Sequence, residues 1–295
     1  MWVSCVGRLR RPGREQTGDM SEQKSSVDRV PVAVVTGAGE GIGAALVVEL
    51  ARHGFDVVLA GRTVSKLETV AAQCRAAGRQ ALVHATDVTL DDSCRALIEA
   101  AIARFGRIDV LVNNAGISMR QPVVETTDLG VYERLMRVNY HGPVACTTFA
   151  LPYLKQSRGM LVAVSSLQGL FGFPTYAGYC ATKHAVQGFF DSLRMELRAT
   201  GVGVLVVSPG PVGTAITRNG IGAGVVSADA TDEASGNREM SAEHCARLIV
   251  RAIRRRKRRL IMTAGGRLAV ALKPFAPGFV DAQVARKIDQ FWEDT

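Results

Sequence analysis

From residue 31 onward, short apolar runs alternate with stretches whose apolar positions recur at helical spacing. Val32–Thr36 reads as a buried strand and Gly41–His53 as a helix. Asp56–Gly61 is the next strand, followed by a helix over Val64–Ala77. Gln80–Ala85 leads to a helix over Leu90–Phe105, and Ile108–Asn113 is the fourth strand. Leu129–Ser157 reads as helix interrupted near Gly142-Pro143, where a ring without an N–H breaks the ladder. Met160–Ser165 is a strand, Tyr176–Thr200 a long helix and Val202–Ser208 a strand. Residues 211–240, rich in Gly, Ala, Ser and Asp, read as a mobile loop. Ser241–Arg256 and Leu260–Thr263 complete the pattern. Strands alternating with helices predict a doubly wound α/β domain around a mainly parallel seven-stranded sheet.

The flanks differ. Residues 1–30 hold an apolar stretch too short for a signal peptide, and Met20 is an alternative start, so a disordered leader is expected. Residues 31–264 form the predicted single domain. In residues 265–295, Val280, Val284, Ile288, Phe291 and Trp292 recur at helical spacing after Pro274 and Pro277, which predicts an amphipathic C-terminal extension.

Composition narrows the function. The formal charge is +9, but Arg251–Arg259 alone holds seven basic residues and no acids. No broad basic face is implied, which argues against a nucleic-acid partner. The bland account of this run is a helix C-terminus favoured by the dipole. Six scattered cysteines without a C-x-x-C pair fit a reduced, cytoplasmic setting. The five histidines lack metal-ligand spacing, so no metal is expected. No apolar run reaches transmembrane length.

Candidate chemistry begins where the first strand runs into Thr36-Gly37-Ala38-Gly39-Glu40-Gly41-Ile42-Gly43. Such glycines let backbone approach a pyrophosphate, and the next helix offers its N-terminal amides. Strand two ends at Gly61-Arg62: no acid is present for a ribose 2′-hydroxyl, and a cation is present for a 2′-phosphate. NADP is therefore expected, with NAD the less favoured cofactor; the acidity of Glu40 weakens that preference slightly. Asp87-Val88 ends strand three, where a carboxylate can accept from an adenine amine, and Asn113-Asn114-Ala115-Gly116 ends strand four. Further on, Tyr179 and Lys183 stand one helical turn apart, and Ser166 lies thirteen residues before Tyr179 at a strand end. A cation beside a phenol is expected to lower its pKa, as proton exchange near neutral pH requires.

With TGAGEGIG at 36–43, Asp87, NNAG at 113–116, Asn139, Ser166, Tyr179-x-x-x-Lys183 and Pro209-Gly210 in this order, the chain resembles the short-chain dehydrogenase/reductase family over roughly residues 31–264. The resemblance implies a Rossmann fold and hydride transfer between a nicotinamide and a carbonyl or alcohol carbon. It implies that Tyr179 is the general acid/base, and that Lys183 lowers its pKa and holds the nicotinamide ribose. Ser166 would bind the substrate oxygen, and Asn139 would fix a water that links Lys183 to solvent. Pro209, Gly210, Val212 and Thr214 match the segment that orients the nicotinamide carboxamide. The family's assembly through helices in 130–157 and 176–200 implies a homodimer or homotetramer.

On the substrate side, Gln168, Leu170, Phe171 and Phe173 face an expected opposite wall of Ile117, Ser118, Met119 and Pro211. Few of these are charged, so a lipophilic ketone, aldehyde or secondary alcohol is expected. Phe171 and Phe173 read equally well as packing residues. Loop 213–240 resembles the family's variable substrate lid, with Gly220, Gly222 and Gly224 as hinges. The extension is expected to cap the substrate mouth; contact with a membrane surface is the lesser reading, since its polar face is charge-balanced. The alternatives are an NAD-dependent dehydrogenase working oxidatively and a catalytically silent NADP-binding scaffold.

Overall fold

The strand segments carry small and β-branched residues with almost no polar interruption, and such segments suit a sheet covered on both faces. The computed structural model describes residues 30–213 and 240–293, with side chains to Arg286. Its strands are β1 (Val32–Thr36), β2 (Asp56–Gly61), β3 (Ala81–Ala85), β4 (Val110–Asn113), β5 (Met160–Val164), β6 (Gly203–Ser208) and β7 (Arg259–Ile261). They form one seven-stranded sheet in the order β3-β2-β1-β4-β5-β6-β7. Every pairing is parallel.

Successive side chains alternate between the faces. Ala33 and Val35 of β1 face helices α1 (Gly41–Arg52), α2 (Val64–Ala76) and α7 (Ala242–Arg254). Val32 and Val34 face the other layer: α3 (Asp91–Phe105), α5 (Gly142–Ser157) and α6 (Ala177–Glu196). Phe190 of α6, fully buried in that second layer, is worth roughly 1.5–3 kcal/mol in apolar burial.

Three details depart from the sequence pattern. The helix over 129–157 is not cut at Gly142-Pro143. A short α4 (Gly130–Met136) passes through a π turn at Arg137–His141 directly into α5. Pro143 has no N–H for the Asn139 carbonyl, so the wider turn is placed just ahead of the proline. The extension holds two helices, α8 (Ala264–Leu272) and α9 (Pro277–Glu293). The first is capped by Thr263, whose hydroxyl accepts from Gly266 N at 3.0 Å. It was not anticipated because its apolar run is too short to show a period. The last strand starts and ends earlier than expected, at Arg259–Ile261. No described helix is long and apolar enough to cross a membrane.

The strand order reverses between β1 and β4. In open parallel sheets this places a crevice at the C-terminal ends of those two strands. The glycine-rich turn and the 113–116 segment open into it.

Candidate active site

The floor of the crevice is held by one threonine. Thr36 Oγ1 accepts from Asn114 N at 3.0 Å and Ala115 N at 3.1 Å, and donates to Val112 O at 3.4 Å. The Asn114 amide donates back to the carbonyls of Thr36 (3.0 Å) and Gly37 (3.2 Å). This knot leaves no room above the turn. A Cβ on Gly37, which sits at φ 65°, would lie 2.9 Å from Ala115 Cα. One on Gly43 would run into the Gly37 carbonyl oxygen. Glu40, the N-cap of α1, makes no side-chain cap, and the first turn of α1 holds no acid. Those amides therefore face the crevice with the helix's positive end, an arrangement that fits a pyrophosphate.

At the carboxyl ends of β2 and β3, the Thr89 backbone hydrogen bond lowers the Asp87 carboxyl below its usual range, and exposed Arg62, after β2, adds a smaller effect in the same direction. Both Thr89 bonds fall on Asp87 Oδ1, at 2.9 and 2.8 Å. Lys66, in the first turn of α2, donates to Glu40 Oε2 at 2.6 Å. Sequence spacing gave no sign of Lys66, which is brought beside the glycine turn by the packing of α2 on Gly39. Val88 packs against Gly142, where an added Cβ would lie 2.9 Å from Val88 Cβ.

The candidate reactive residues are brought together by β5, β6 and α6. Tyr179 and Lys183 are both buried, with the Lys183 ammonium 5.5 Å from the Tyr179 ring centroid. Lys183 Nζ donates to Val164 O at 3.0 Å. Burial pushes the ammonium's pKa down to about 8. Ser166 ends β5 as the cap of a single 3-10 turn (Leu167–Gly169), its hydroxyl accepting from Gln168 N at 3.2 Å. It also hydrogen-bonds the Tyr179 phenol, which favours ionisation, but burial is the larger effect and pushes the phenol well above its usual value. The lowered phenol expected from Tyr-x-x-x-Lys is thus not what this pocket has: desolvation outweighs the Ser166 hydrogen bond.

Asn139, 1 % exposed, spends its whole amide on structure. Its oxygen accepts from Ile117 N at 2.9 Å, and its nitrogen donates to Ile117 O at 2.9 Å and Thr182 Oγ1 at 3.0 Å. Its backbone carbonyl has no α-helical N–H partner four residues on, because residue 143 is proline. Leu167 N donates to Pro209 O at 3.0 Å, tying the Ser166 turn to the segment after β6. Gly210 lies against Leu167 and Thr263, and Val212 bridges to Met240. Ala115 and Gly116 line the crevice edge, half-buried. Thr214 and the hinge glycines Gly220, Gly222 and Gly224 lie outside the described residues, as do residues 1–29 of the leader.

Around the substrate side, Gln168 and Phe173 are half-buried and Pro211 is exposed. Met119, expected on the open wall, is packed with Val131 and Leu135 and belongs to the interior. Phe171 is buried too, under the extension: Lys273 Nζ stands 5.4 Å over its ring and donates to Leu170 O at 3.2 Å. Tyr176, one turn before Tyr179, is a neighbour that sequence reading passed over, although its helical spacing marked it; its phenol raises that of Tyr179.

Comparison with known proteins agrees with this geometry. A family model described as short chain dehydrogenase matches residues 31–221. The human dehydrogenase/reductase SDR family member 7 is 39 % identical over 257 residues, covering 85 % of this chain and 71 % of that protein. The 11-beta-hydroxysteroid dehydrogenase A of Sesamum indicum is 36 % identical over 251 residues, 83 % of this chain and 72 % of that one. Among solved structures, a Burkholderia phymatum short chain dehydrogenase/reductase in complex with NAD superposes with TM-score 0.74 at 26 % identity, covering 85 % of this chain and 95 % of its own. A Thermococcus sibiricus alcohol dehydrogenase complexed with 5-hydroxy-NADP gives 0.69 at 26 % identity, over 79 % and 95 %.

Proposed function

Since the chain belongs to the short-chain dehydrogenase/reductase family, we propose that it transfers a hydride between NADP(H) and a lipophilic ketone, aldehyde or secondary alcohol, with Tyr179 as general acid/base. The observation that carries the reading is the buried pair Tyr179 and Lys183 with Ser166 on the phenol, all at the carboxyl end of β5 beside the switch-point crevice.

Gly37, Gly39, Gly41 and Ile42 would hold the pyrophosphate, Arg62 the 2′-phosphate, and Asp87 Oδ2 and Val88 the adenine. Asn114, Ala115, Gly116, Pro209, Gly210, Val212 and Thr214 would line the nicotinamide half. A bound nicotinamide supplies the hydride. Ser166 donates to the substrate oxygen and steadies the charge that develops there. Tyr179 gives its proton to the forming alkoxide oxygen. Lys183 favours the phenolate left behind, and the Asn139 carbonyl holds the water through which the proton is restored. A phenol that burial keeps protonated near neutral pH suits the reductive direction.

Glu40 is the one feature that speaks for NAD, because it sets a negative charge near the 2′ position. Lys66 neutralises it at 2.6 Å, which supports NADP. Half-buried Ile117 and Phe173 and the relatives named as hydroxysteroid dehydrogenases support a lipophilic substrate. A cytoplasmic homodimer or homotetramer, built through α5 and α6, completes the reading, and light scattering tests the assembly.

The deciding experiment follows NADPH and NADH oxidation with a panel of lipophilic ketones and aldehydes, for the wild type and Tyr179→Phe. NADPH-dependent turnover that disappears in the variant supports the reading. Faster turnover with NADH overturns the cofactor assignment. Tight NADPH binding without turnover on any compound favours the silent scaffold.

A further inference from the structure

Helix α7 and the basic run that follows it hold two contrasting groups of arginine. Arg256 is structural: its guanidinium donates to the carbonyls of Arg158 at 3.1 Å, Gly159 at 3.2 Å and Gly201 at 2.5 Å. Arg247, Arg251, Arg254 and Arg255 behave differently. Together with Glu49 and His53 they line a cleft of about 480 Å3 between α1 and α7. Among the described residues, none of these four guanidiniums makes a hydrogen bond or an ion pair. Spacings of four and three residues set Arg247, Arg251 and Arg254 along one face of α7, and Arg255 follows at its C-cap, so like charges repel there. Glu49, the single acid in the cleft, is engaged by His53 at 3.6 Å and Arg52 at 3.8 Å. The negative ends of α1 and α7 offset only part of this charge.

We propose that this cleft binds a compact anion carrying several phosphate groups, at a site separate from the dinucleotide crevice. The crevice lies at the N-terminus of α1 and the cleft at its C-terminus, about 18 Å away for twelve residues at 1.5 Å each. Guanidinium forks match phosphate oxygens in pairs, and four of them call for more than one phosphate. The lining has no Phe, Tyr or Trp on which a base could stack, which disfavours a nucleic-acid strand. It has no apolar side chain to enter a bilayer either, so a freely diffusing anion fits better than a lipid headgroup.

Calorimetry with sodium tripolyphosphate and with inositol hexakisphosphate, each compared with sodium sulfate at matched ionic strength, tests this on the full chain. The comparison protein is Arg251→Gln/Arg254→Gln/Arg255→Gln, whose lost groups are exposed and unbonded, with its folding checked by thermal melting. One-to-one micromolar binding, weakened at least tenfold in the triple variant, is expected. Equal responses to sulfate, or binding unchanged in the variant, would mean simple charge screening or another site, and would overturn the proposal. Sedimentation with phosphatidylcholine vesicles, with and without phosphatidylinositol 4,5-bisphosphate, identifies the source. Pelleting only with the phosphorylated lipid, lost in the triple variant, assigns the phosphates to a headgroup; no pelleting alongside tripolyphosphate binding assigns them to a soluble anion.

Discussion

Lys183 holds its ammonium 5.5 Å from the centre of the Tyr179 ring, inside protein and with a single hydrogen bond, to the Val164 carbonyl at 3.0 Å. Burial takes the lysine from its ordinary 10.5 to about 8. Between those two values the unfolded chain keeps the proton and the folded protein does not, so this residue makes stability rise with pH across the window from about 8 to 10.5. Below it the folded protein carries the full cost of a buried cation. Lys183→Met should therefore be more stable than wild type near pH 7, by up to about 3 kcal/mol, with the advantage fading as pH approaches 10.5. Urea unfolding of both proteins at several pH values measures this; a constant difference would refute it. The same titration predicts that ketone reduction declines above about pH 8, as the ammonium discharges.

Arg62 and Glu40 should act in opposite directions on NADPH alone. Removing a charged donor from a phosphate costs roughly 1.5–3 kcal/mol, so Arg62→Ala should weaken NADPH binding by at least tenfold and leave NADH nearly unchanged. Glu40→Gln, which releases Lys66 from its ion pair, should strengthen NADPH binding. The pair itself is exposed, so melting temperature should hardly move. Fluorescence titration with both cofactors reads all of these, and parallel shifts for NADH and NADPH would rule out a role at the 2′-phosphate.

Thr36→Val keeps the shape of the crevice floor and removes its hydroxyl. The amides of Asn114 and Ala115 lose their acceptor, at roughly 1–3 kcal/mol for each buried group left unpaired. A drop in denaturation midpoint with unchanged m-value is expected, together with weaker cofactor binding. Wild-type stability in this variant would show that water serves those amides equally well.

Thr175 stands at φ 67°, a conformation that β-branched residues strongly avoid, and its buried hydroxyl has no partner. It precedes the turn into Tyr176 and accepts from Gln121 N at 2.7 Å through its carbonyl. Thr175→Gly keeps that backbone bond and relieves both costs, so stability should rise by roughly 1 kcal/mol. Strain at this position that serves catalysis would appear as a lower kcat in the same variant.

Sequence alone carried the order of strands and helices, because continuous apolar runs mark strands buried on both faces and apolar positions at helical spacing mark the covering helices. It also marked Tyr179, Lys183 and Ser166 as candidates, and the fold sets the first two one helical turn apart with Ser166 beside the phenol. It could not show that Lys66 meets Glu40, or that Thr36 knots the crevice floor to Asn114, because those pairs are joined only when separate strands and helices pack. The π turn at Arg137–His141 was legible only as a break at Pro143, for sequence reveals the missing N–H but not where the helix absorbs it. Tertiary structure likewise decided the sense of the pKa shifts. Spacing sets a cation near a phenol, but only the surrounding fold sets how much water either group retains, and here desolvation is the largest effect on both.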